Sequence, residues 1–148
     1  MDSATYDRIL AILERGWEMT LATIRPDGFP QATTVSYVHD GVTLYFGTSA
    51  DSQKARNIAI NDKVSLTVTL PYERTEEILG LSMGAHAARV TDKAEIAKVG
   101  ALMLKRFPEG ADFGPDEGDS IAIFAVKPVV ISVLDYRNGV GHTELVTV

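Results

Sequence analysis

One stretch of the chain organises the rest, and it reads Gly47-Thr48-Ser49-Ala50-Asp51-Ser52-Gln53-Lys54-Ala55-Arg56-Asn57-Ile58. It follows an apolar run at residues 42–46, which is rich in strand-forming residues and begins after the turn residues Asp40 and Gly41. Beyond it, apolar residues recur at helical spacing, which predicts a short helix from about Ser52 to Asn61. The stretch is therefore predicted to join the end of a strand to the start of a helix.

The start of this predicted helix carries groups that suit a phosphate. Ser49, Asp51 or Ser52 is predicted to cap the helix by accepting a hydrogen bond from an amide of the first turn. Lys54 falls in that turn, where the helix dipole disfavours a positive charge that has no anionic partner. Free amides, hydroxyl groups and an ammonium group together favour an anion. The residues leave two interpretations open, a phosphate site and a solvated helix start whose lysine extends into water.

The composition narrows the class of protein. The chain has 148 residues, of which 45% are hydrophobic and 23% charged, and we expect one globular domain over residues 1–148. A net charge of −6 without any run of basic residues predicts no nucleic-acid partner. Because cysteine is absent, disulfides, thiolate metal ligands and cysteine nucleophiles are excluded. No apolar segment approaches the ~20 residues of a membrane span, so we expect a cytoplasmic protein with no membrane partner.

The remaining sequence predicts mostly strands. One helix is predicted at residues 3–16 with Ser3 as its cap, and another at residues 92–107 with a capping box formed by Asp92 and Glu95. Residues 109–119, rich in Gly, Asp and Pro, are predicted to form a loop. Strands are predicted at residues 17–24, 31–38, 42–46, 63–70, 76–90, 120–126 and 129–136. About six or seven strands with turn signals between them favour a mainly β fold with short α-helices, a closed antiparallel barrel rather than a doubly wound sheet.

Five segments, taken in chain order, carry a resemblance to a known family. They are Leu21-Ala22-Thr23-Ile24, Asp27-Gly28-Phe29-Pro30, Leu44-Tyr45-Phe46-Gly47-Thr48, Lys54-Ala55-Arg56-Asn57-Ile58 and Val64-Ser65-Leu66. In this order and spacing they resemble the pyridoxamine 5'-phosphate oxidase-like, FMN-binding split-barrel family. The resemblance implies a six-stranded antiparallel split β-barrel that forms a homodimer, with FMN bound at the dimer interface.

The resemblance also implies which residues hold the FMN. Residues 32–37 correspond to a strand whose backbone meets the polar edge of the flavin ring. The positions that correspond to contacts with the cofactor are Thr33, Thr34, Val35, Ser36 and Tyr37 along the ring, and Gly47, Thr48, Ser49, Gln53 and Lys54 around the phosphate.

The sequence also departs from the pattern of the relatives that oxidise pyridoxamine phosphate. Those relatives carry arginine where this chain has Gln53, and a second arginine near Ala32. They end in an Arg-x-His pair that holds the substrate phosphate, whereas here four residues, two of them glycines, separate Arg137 from His142. The resemblance therefore does not extend to the vitamin B6 site, and the substrate is an unidentified small molecule.

The function that this resemblance implies is an FMN-dependent oxidoreductase. No catalytic residue is assigned; Arg137 and His142 are candidates only if the tail covers the flavin, and no metal site is expected. One alternative is a flavin carrier, store or sensor without its own substrate. Another is the same fold with F420 or haem as its cofactor. Haem iron needs an axial ligand, and the histidines available for it are His39, His86 and His142.

Overall fold

A computed structural model describes residues 1–111 and 120–148 of the chain. The α-helices of these residues are α1 (Ser3–Arg15), α2 (Gln53–Ile60) and α3 (Lys93–Arg106). The strands are β1 (Glu18–Ile24), β2 (Pro30–Ser36), β3 (Val38–Asp40), β4 (Thr43–Ser49), β5 (Lys63–Thr69), β6 (Leu79–Arg89), β7 (Ile121–Asp135) and β8 (Thr143–Thr147). Among the described helices, none has the length and the apolar composition needed to cross a membrane.

The strands form one sheet that curls back on itself. Its order is β2-β1-β5-β6-β7-β4-β3, with β8 added on β7, and every neighbouring pair is antiparallel. β2 and β3 end this order at opposite edges, yet only Tyr37 separates them in the chain. Both edges must therefore come together at Tyr37, which requires a curled sheet. The predicted mainly β, split-barrel class is confirmed, with eight strands in the described residues.

The main core lies between the inner face of the curled sheet and α1. The alternation in β5 shows how it forms, because Val64, Leu66 and Val68 are buried while the residues between them are exposed. From α1, Ile9 and Leu13 are fully buried against these strands. A smaller cluster lies outside the sheet, where Val99 of α3 packs with residues of β3, β4 and β7.

Two of the three helices have the predicted cap, and one differs. Ser52 caps α2, and Asp92 caps α3 by accepting a hydrogen bond from the Glu95 amide at 3.0 Å. The capping box predicted between Asp92 and Glu95 does not form in full, because the Glu95 carboxylate accepts from the Tyr45 hydroxyl at 3.2 Å instead of from the Asp92 amide. The prediction for α1 was wrong by one residue, because Asp2 rather than Ser3 accepts from the Thr5 amide. A carboxylate is also favoured at this end by the helix dipole.

The prediction of two strands at residues 120–126 and 129–136 was wrong, because β7 is a single strand of 15 residues. Its register with β6 shifts between Gly84 and Ala85, which face Val130 and Pro128, so that Val129 is an extra residue. On its other side, β7 changes partner at the same place, from β4 up to Val126 to β8 from Val130 onward. Proline is tolerated in a sheet at such a bulge, where the ladder is already interrupted.

Other boundaries also differ from the sequence prediction. The strand predicted at 76–90 begins only at Leu79, after a 3₁₀ turn at Thr75–Glu77. Within it Gly80 approaches another backbone, since a Cβ there would lie 2.6 Å from the Val68 carbonyl oxygen. The loop predicted at 109–119 begins as a 3₁₀ turn at Pro108–Ala111, and the rest of it lies outside the described residues.

Candidate functional site

The loop between β4 and α2 places several polar groups at the start of the helix. Ser52 is the cap, and its hydroxyl oxygen accepts from the Ala55 amide at 3.2 Å and from the Thr48 hydroxyl at 3.2 Å. The Ser52 amide in turn donates to the Ser49 carbonyl at 3.0 Å. These bonds fix the direction in which α2 leaves the sheet, so that its first amides face the end of β4.

Lys54 lies in the first turn of α2 and is half-buried. Among the described residues, no carboxylate pairs with its ammonium group and no hydrogen bond to it occurs. The amides of Gln53 and Lys54 are the first two of the helix and have no intrahelical acceptor. A cation beside two free amides at a helix start favours an anion, and Asp51, the nearest acidic residue in sequence, is exposed. The predicted helix start with a first-turn lysine is thus present.

The other predicted phosphate residues separate onto two faces of β4. Thr48 lies on the same face as the buried Phe46 and bonds to Ser52, whereas Gly47 and Ser49 lie on the opposite face by the alternation of the strand. A Cβ on Gly47 would lie 3.4 Å from the Ile121 side chain, in the direction of α3. The structure therefore places Thr48 against Ser52, the cap of the helix that Gln53 and Lys54 begin, whereas the side-chain positions of Gly47 and Ser49 lie on the other face of β4.

A buried polar cluster that sequence reasoning missed attaches α2 to the first two strands. Asn57 is fully buried, and its Nδ2 donates to the Thr23 hydroxyl at 3.0 Å and to Gln31 Oε1 at 3.3 Å. Gln53 Nε2 donates to Asn57 Oδ1 at 2.8 Å, which carries the network to the first residue of the helix. The available signal was an asparagine beside Ile58 on the apolar face of a short helix, where a polar residue needs buried partners.

The strand expected to run along a flavin ring is β2, and it is an edge strand. It pairs only with β1, and none of its seven residues is fully buried. Thr33 and Val35 are half-buried, whereas Thr34 and Ser36 are exposed on the other face. No other described strand pairs with its outer edge, and Gln31 near its start accepts from Asn57 of the buried cluster. The start of α2 and the edge of β2 are therefore neighbours.

Tyr37 does not continue that strand. It forms the corner between β2 and β3, its side chain is buried, and its hydroxyl donates to the Leu13 carbonyl at 2.7 Å. Burial raises the pKa of the Tyr37 phenol to about 12. Its ring belongs to the core and attaches α1 to the barrel. The prediction that Tyr37 is part of the same strand as residues 32–36 was wrong, because β2 ends at Ser36.

The C-terminal tail lies along β7. Residues after Asp135 form a 3₁₀ turn at Tyr136–Asn138 and then β8, which pairs with the second half of β7. Arg137 is held by Asp135 through two bonds of 2.8 Å, and the His142 side chain is exposed. Because Ser49 pairs with Ile121 at the first residue of β7, the tail and the start of α2 lie at opposite ends of that strand within one chain.

The histidines occupy three different surfaces. His39 contacts the Gly41 carbonyl and the Glu14 carboxylate, each at 2.9 Å, and His86 contacts Asp62 at 2.9 Å. Within residues 1–111 and 120–148, no three side chains of the types His, Cys, Asp and Glu group together as metal ligands would.

A family model for pyridoxamine 5'-phosphate oxidase matches residues 7–134, which is most of the chain and includes β1, β2, β4 and α2. The chain belongs to the pyridoxamine 5'-phosphate oxidase family. This membership confirms the resemblance carried by the five segments.

Relatives within and around this family carry different descriptions. General stress protein 26 of Bacillus subtilis (strain 168) is 25% identical over 129 residues, which cover 86% of each chain. A haem-binding protein of Mycobacterium smegmatis has a TM-score of 0.81 at 19% identity, covering 99% of this chain and 59% of that one. An F420 reductase has a TM-score of 0.66 at 29% identity, covering 82% and 94%. The fold is thus shared by proteins whose cofactors differ.

Proposed function

We propose that this chain binds FMN and acts as a flavin-dependent oxidoreductase on a small molecule. The observation that carries the proposal is the half-buried Lys54, which has no partner in the described chain and lies beside the free amides at the start of α2. A phosphate monoester supplies the anion that this arrangement lacks. Membership of the pyridoxamine 5'-phosphate oxidase family supports a cofactor at this place.

The proposed contacts divide between two neighbouring elements. Lys54 and the Gln53 amide hold the phosphate, and the Thr48 hydroxyl donates to it in place of Ser52. The backbone of β2 over Thr33, Thr34, Val35 and Ser36 offers donors and acceptors to the polar edge of the flavin ring, because the outer edge of that strand is unpaired within the chain. Gly47 and Ser49 contribute through their backbone, since their side-chain positions face away from Thr48. The Asn57 cluster keeps the two elements at a constant separation.

Bound flavin would supply the electron transfer, and the residues of this chain would orient the ring and exclude water.

A second copy of the chain completes the proposed site. Among the described strands, one edge and one face of β2 remain open. The tail of the same chain lies at the far end of β7 and therefore does not cover the ring. In a homodimer, the twin would cover the open edge of β2.

The descriptions of the relatives raise two alternative cofactors, haem and F420. Proteins of the same fold are described as a haem-binding protein and an F420 reductase. His39 has both ring nitrogens engaged by protein oxygens, whereas His86 has only Nδ1 engaged, by Asp62, so the exposed His86 and His142 are the histidines that keep a ring nitrogen for iron. F420 has a long anionic tail, and the net charge of −6 disfavours it. A flavin carrier or sensor would share the FMN site and lack a substrate.

An absorption spectrum of the purified protein separates these cofactors, followed by mass identification of what is released on denaturation. We expect the two visible bands of an oxidised flavin and the mass of FMN. A Soret band would contradict the FMN proposal in favour of haem, and the mass of F420 would contradict it equally. Bleaching of the flavin by a reduced nicotinamide, followed by reoxidation with an added acceptor, would distinguish an oxidoreductase from a carrier.

A further inference from the structure

A cleft of about 160 Å³ lies between α1 and the adjoining ends of β6 and β7. Its floor is apolar and is formed by Ala11, Ile12, Leu79 and Val133. The first two lie on one face of α1, and Leu79 pairs with the last residue of β7 in the sheet. A cavity of about 150 Å³ with an apolar lining accommodates a benzene ring, so this floor has the size of one small ring or branched chain.

Three guanidinium groups surround this floor. Arg8 and Arg15 lie one turn to either side of Ala11 and Ile12 on the same face of α1, and Arg137 lies on the opposite wall. They are accompanied by two carboxylates, Asp135 and Glu144. The local balance of three positive and two negative charges is positive, in a chain whose net charge is −6. Such a focus of positive charge attracts an anion.

Two of the arginines are already held in place. Asp135 is buried and accepts from Nε and Nη2 of Arg137, both at 2.8 Å, while Glu144 accepts from Nη2 of Arg8 at 2.5 Å. A guanidinium group has five N–H donors, so each of these arginines keeps donors for a ligand. Holding the side chains before binding reduces the entropy lost on binding. Arg15, the third arginine of the cleft, has no ion pair in the described chain, so all of its donors are open to a ligand.

We propose that this cleft is a second ligand site, which binds a small organic anion whose apolar body is no larger than a benzene ring. The acidic group, a carboxylate or a phosphate monoester, contacts Arg15 and the free donors of Arg8 and Arg137. The apolar body rests on Ile12 and Val133. The site is separate from the proposed flavin phosphate, because it lies at the last residue of β7 and the start of α2 lies beside the first.

Calorimetric titration of the purified full-length protein with benzoate, phenyl phosphate and the neutral benzamide tests this proposal. We expect one anion bound per chain, and benzamide bound at least about tenfold more weakly, because a charge-assisted hydrogen bond is lost. A preference for benzoate would assign a carboxylic acid, and a preference for phenyl phosphate would assign a phosphate ester. Equal binding of benzamide, or no binding of either anion at millimolar concentration, would overturn the proposal.

Two variants and one control locate the site. Arg15→Gln should weaken anion binding at least about tenfold, and Ala11→Phe should block it by filling the floor without a change of charge. Lys105→Gln is the matched control, because Lys105 is an exposed cation in the last turn of α3 as Arg15 is in α1. If Arg15→Gln and Lys105→Gln weaken binding equally, the effect is one of net charge and the cleft is not the site. Displacement of the anion by FMN would show that the cleft belongs to the flavin site, and would also overturn the proposal.

Discussion

Lys54 is the residue on which the proposed cofactor site depends most. We predict that Lys54→Ala weakens FMN binding by roughly tenfold to a hundredfold, the value of a charge-assisted contact of about 1.5–3 kcal/mol. The reason is that its ammonium group has no other anion in the described chain. Flavin fluorescence measured during titration of the apo-protein gives the affinity.

Arg56 provides the matched control for Lys54. It carries the same charge two residues later, but it is exposed and donates to Gln53 Oε1 at 3.2 Å. Arg56→Ala should therefore change FMN affinity much less than Lys54→Ala. Equal and small effects of the two substitutions would mean that the phosphate binds elsewhere.

Tyr37 makes stability depend on pH in the alkaline range. Its pKa is raised by burial from the ordinary 10.0 to about 12, so above pH 10 the unfolded chain releases a proton that the folded chain keeps. Stability must fall as the pH rises through this range. We predict that the wild-type protein loses more stability than Tyr37→Phe between pH 9 and pH 11, as measured by urea unfolding. Parallel losses in the two proteins would show that the Tyr37 phenol is not the group responsible.

The two helices α1 and α3 are joined by one side chain, Arg106. Its Nη2 donates to the carbonyls of Leu13 and Glu14 at 3.1 and 3.2 Å and also to that of Gly16, which satisfies the C-terminal end of α1. The guanidinium carbon lies 5.1 Å from the Trp17 ring centroid and 5.4 Å from that of Tyr37. Because the group is nearly buried, its removal takes the charged donor from the Glu14 and Gly16 carbonyls, leaves Leu13 with the Tyr37 hydroxyl alone, and leaves the aromatic faces without a cation.

We predict that Arg106→Ala destabilises the protein by about 3 kcal/mol, the sum of lost charged hydrogen bonds and cation–π contacts. For a chain of this length that corresponds to a fall in Tm of roughly 6–12 °C, measured by thermal unfolding followed by circular dichroism. Lys105→Ala, at the exposed neighbouring position, should leave Tm nearly unchanged. A similar Tm for both variants would mean that Arg106 does not fasten α1.

The outer face of the sheet is the surface most suited to a second copy of this chain. Two rows of residues cross it from β2 to β8 and consist of Thr34, Thr20, Thr67, Ser82, Ser132 and Leu145, and of Ala32, Ala22, Ser65, Gly84, Val130 and Thr147. None of these residues is charged and none is buried within the chain. Small, uncharged residues allow two sheets to approach closely, and a two-fold axis would bring the same rows together. We propose this face as the homodimer interface.

We predict that the protein is a homodimer and that Thr67→Arg, in the middle of this face, converts it to a monomer. A charged side chain cannot be buried against its own copy without a partner. Light scattering at micromolar concentration should give twice 16.0 kDa for the wild type and 16.0 kDa for the variant. Thr91→Arg, an exposed threonine outside the two rows, should remain a dimer. A wild-type mass of 16.0 kDa would contradict the homodimer itself.

Local features of this chain were predictable where neighbouring residues decide the structure. The alternation of Val64, Leu66 and Val68 is sufficient to predict β5, and the polar start of α2 with Ser52 before Lys54 was evident from spacing alone. The mainly β class follows from the same signals, repeated along the chain. In each case the responsible interactions join residues that are close in sequence, so the pattern contains them.

Long-range partners decided the rest. Pro128 predicted a break between two strands, but β7 continues because a bulge and a change of neighbouring strand occur at that place. The tail, for which the sequence predicted no strand, becomes β8 because the second half of β7 has an open edge. Asn57 became part of the candidate site only through Thr23 and Gln31, 34 and 26 residues away. Such partners are set by sheet order and by burial of polar groups, which no local pattern contains.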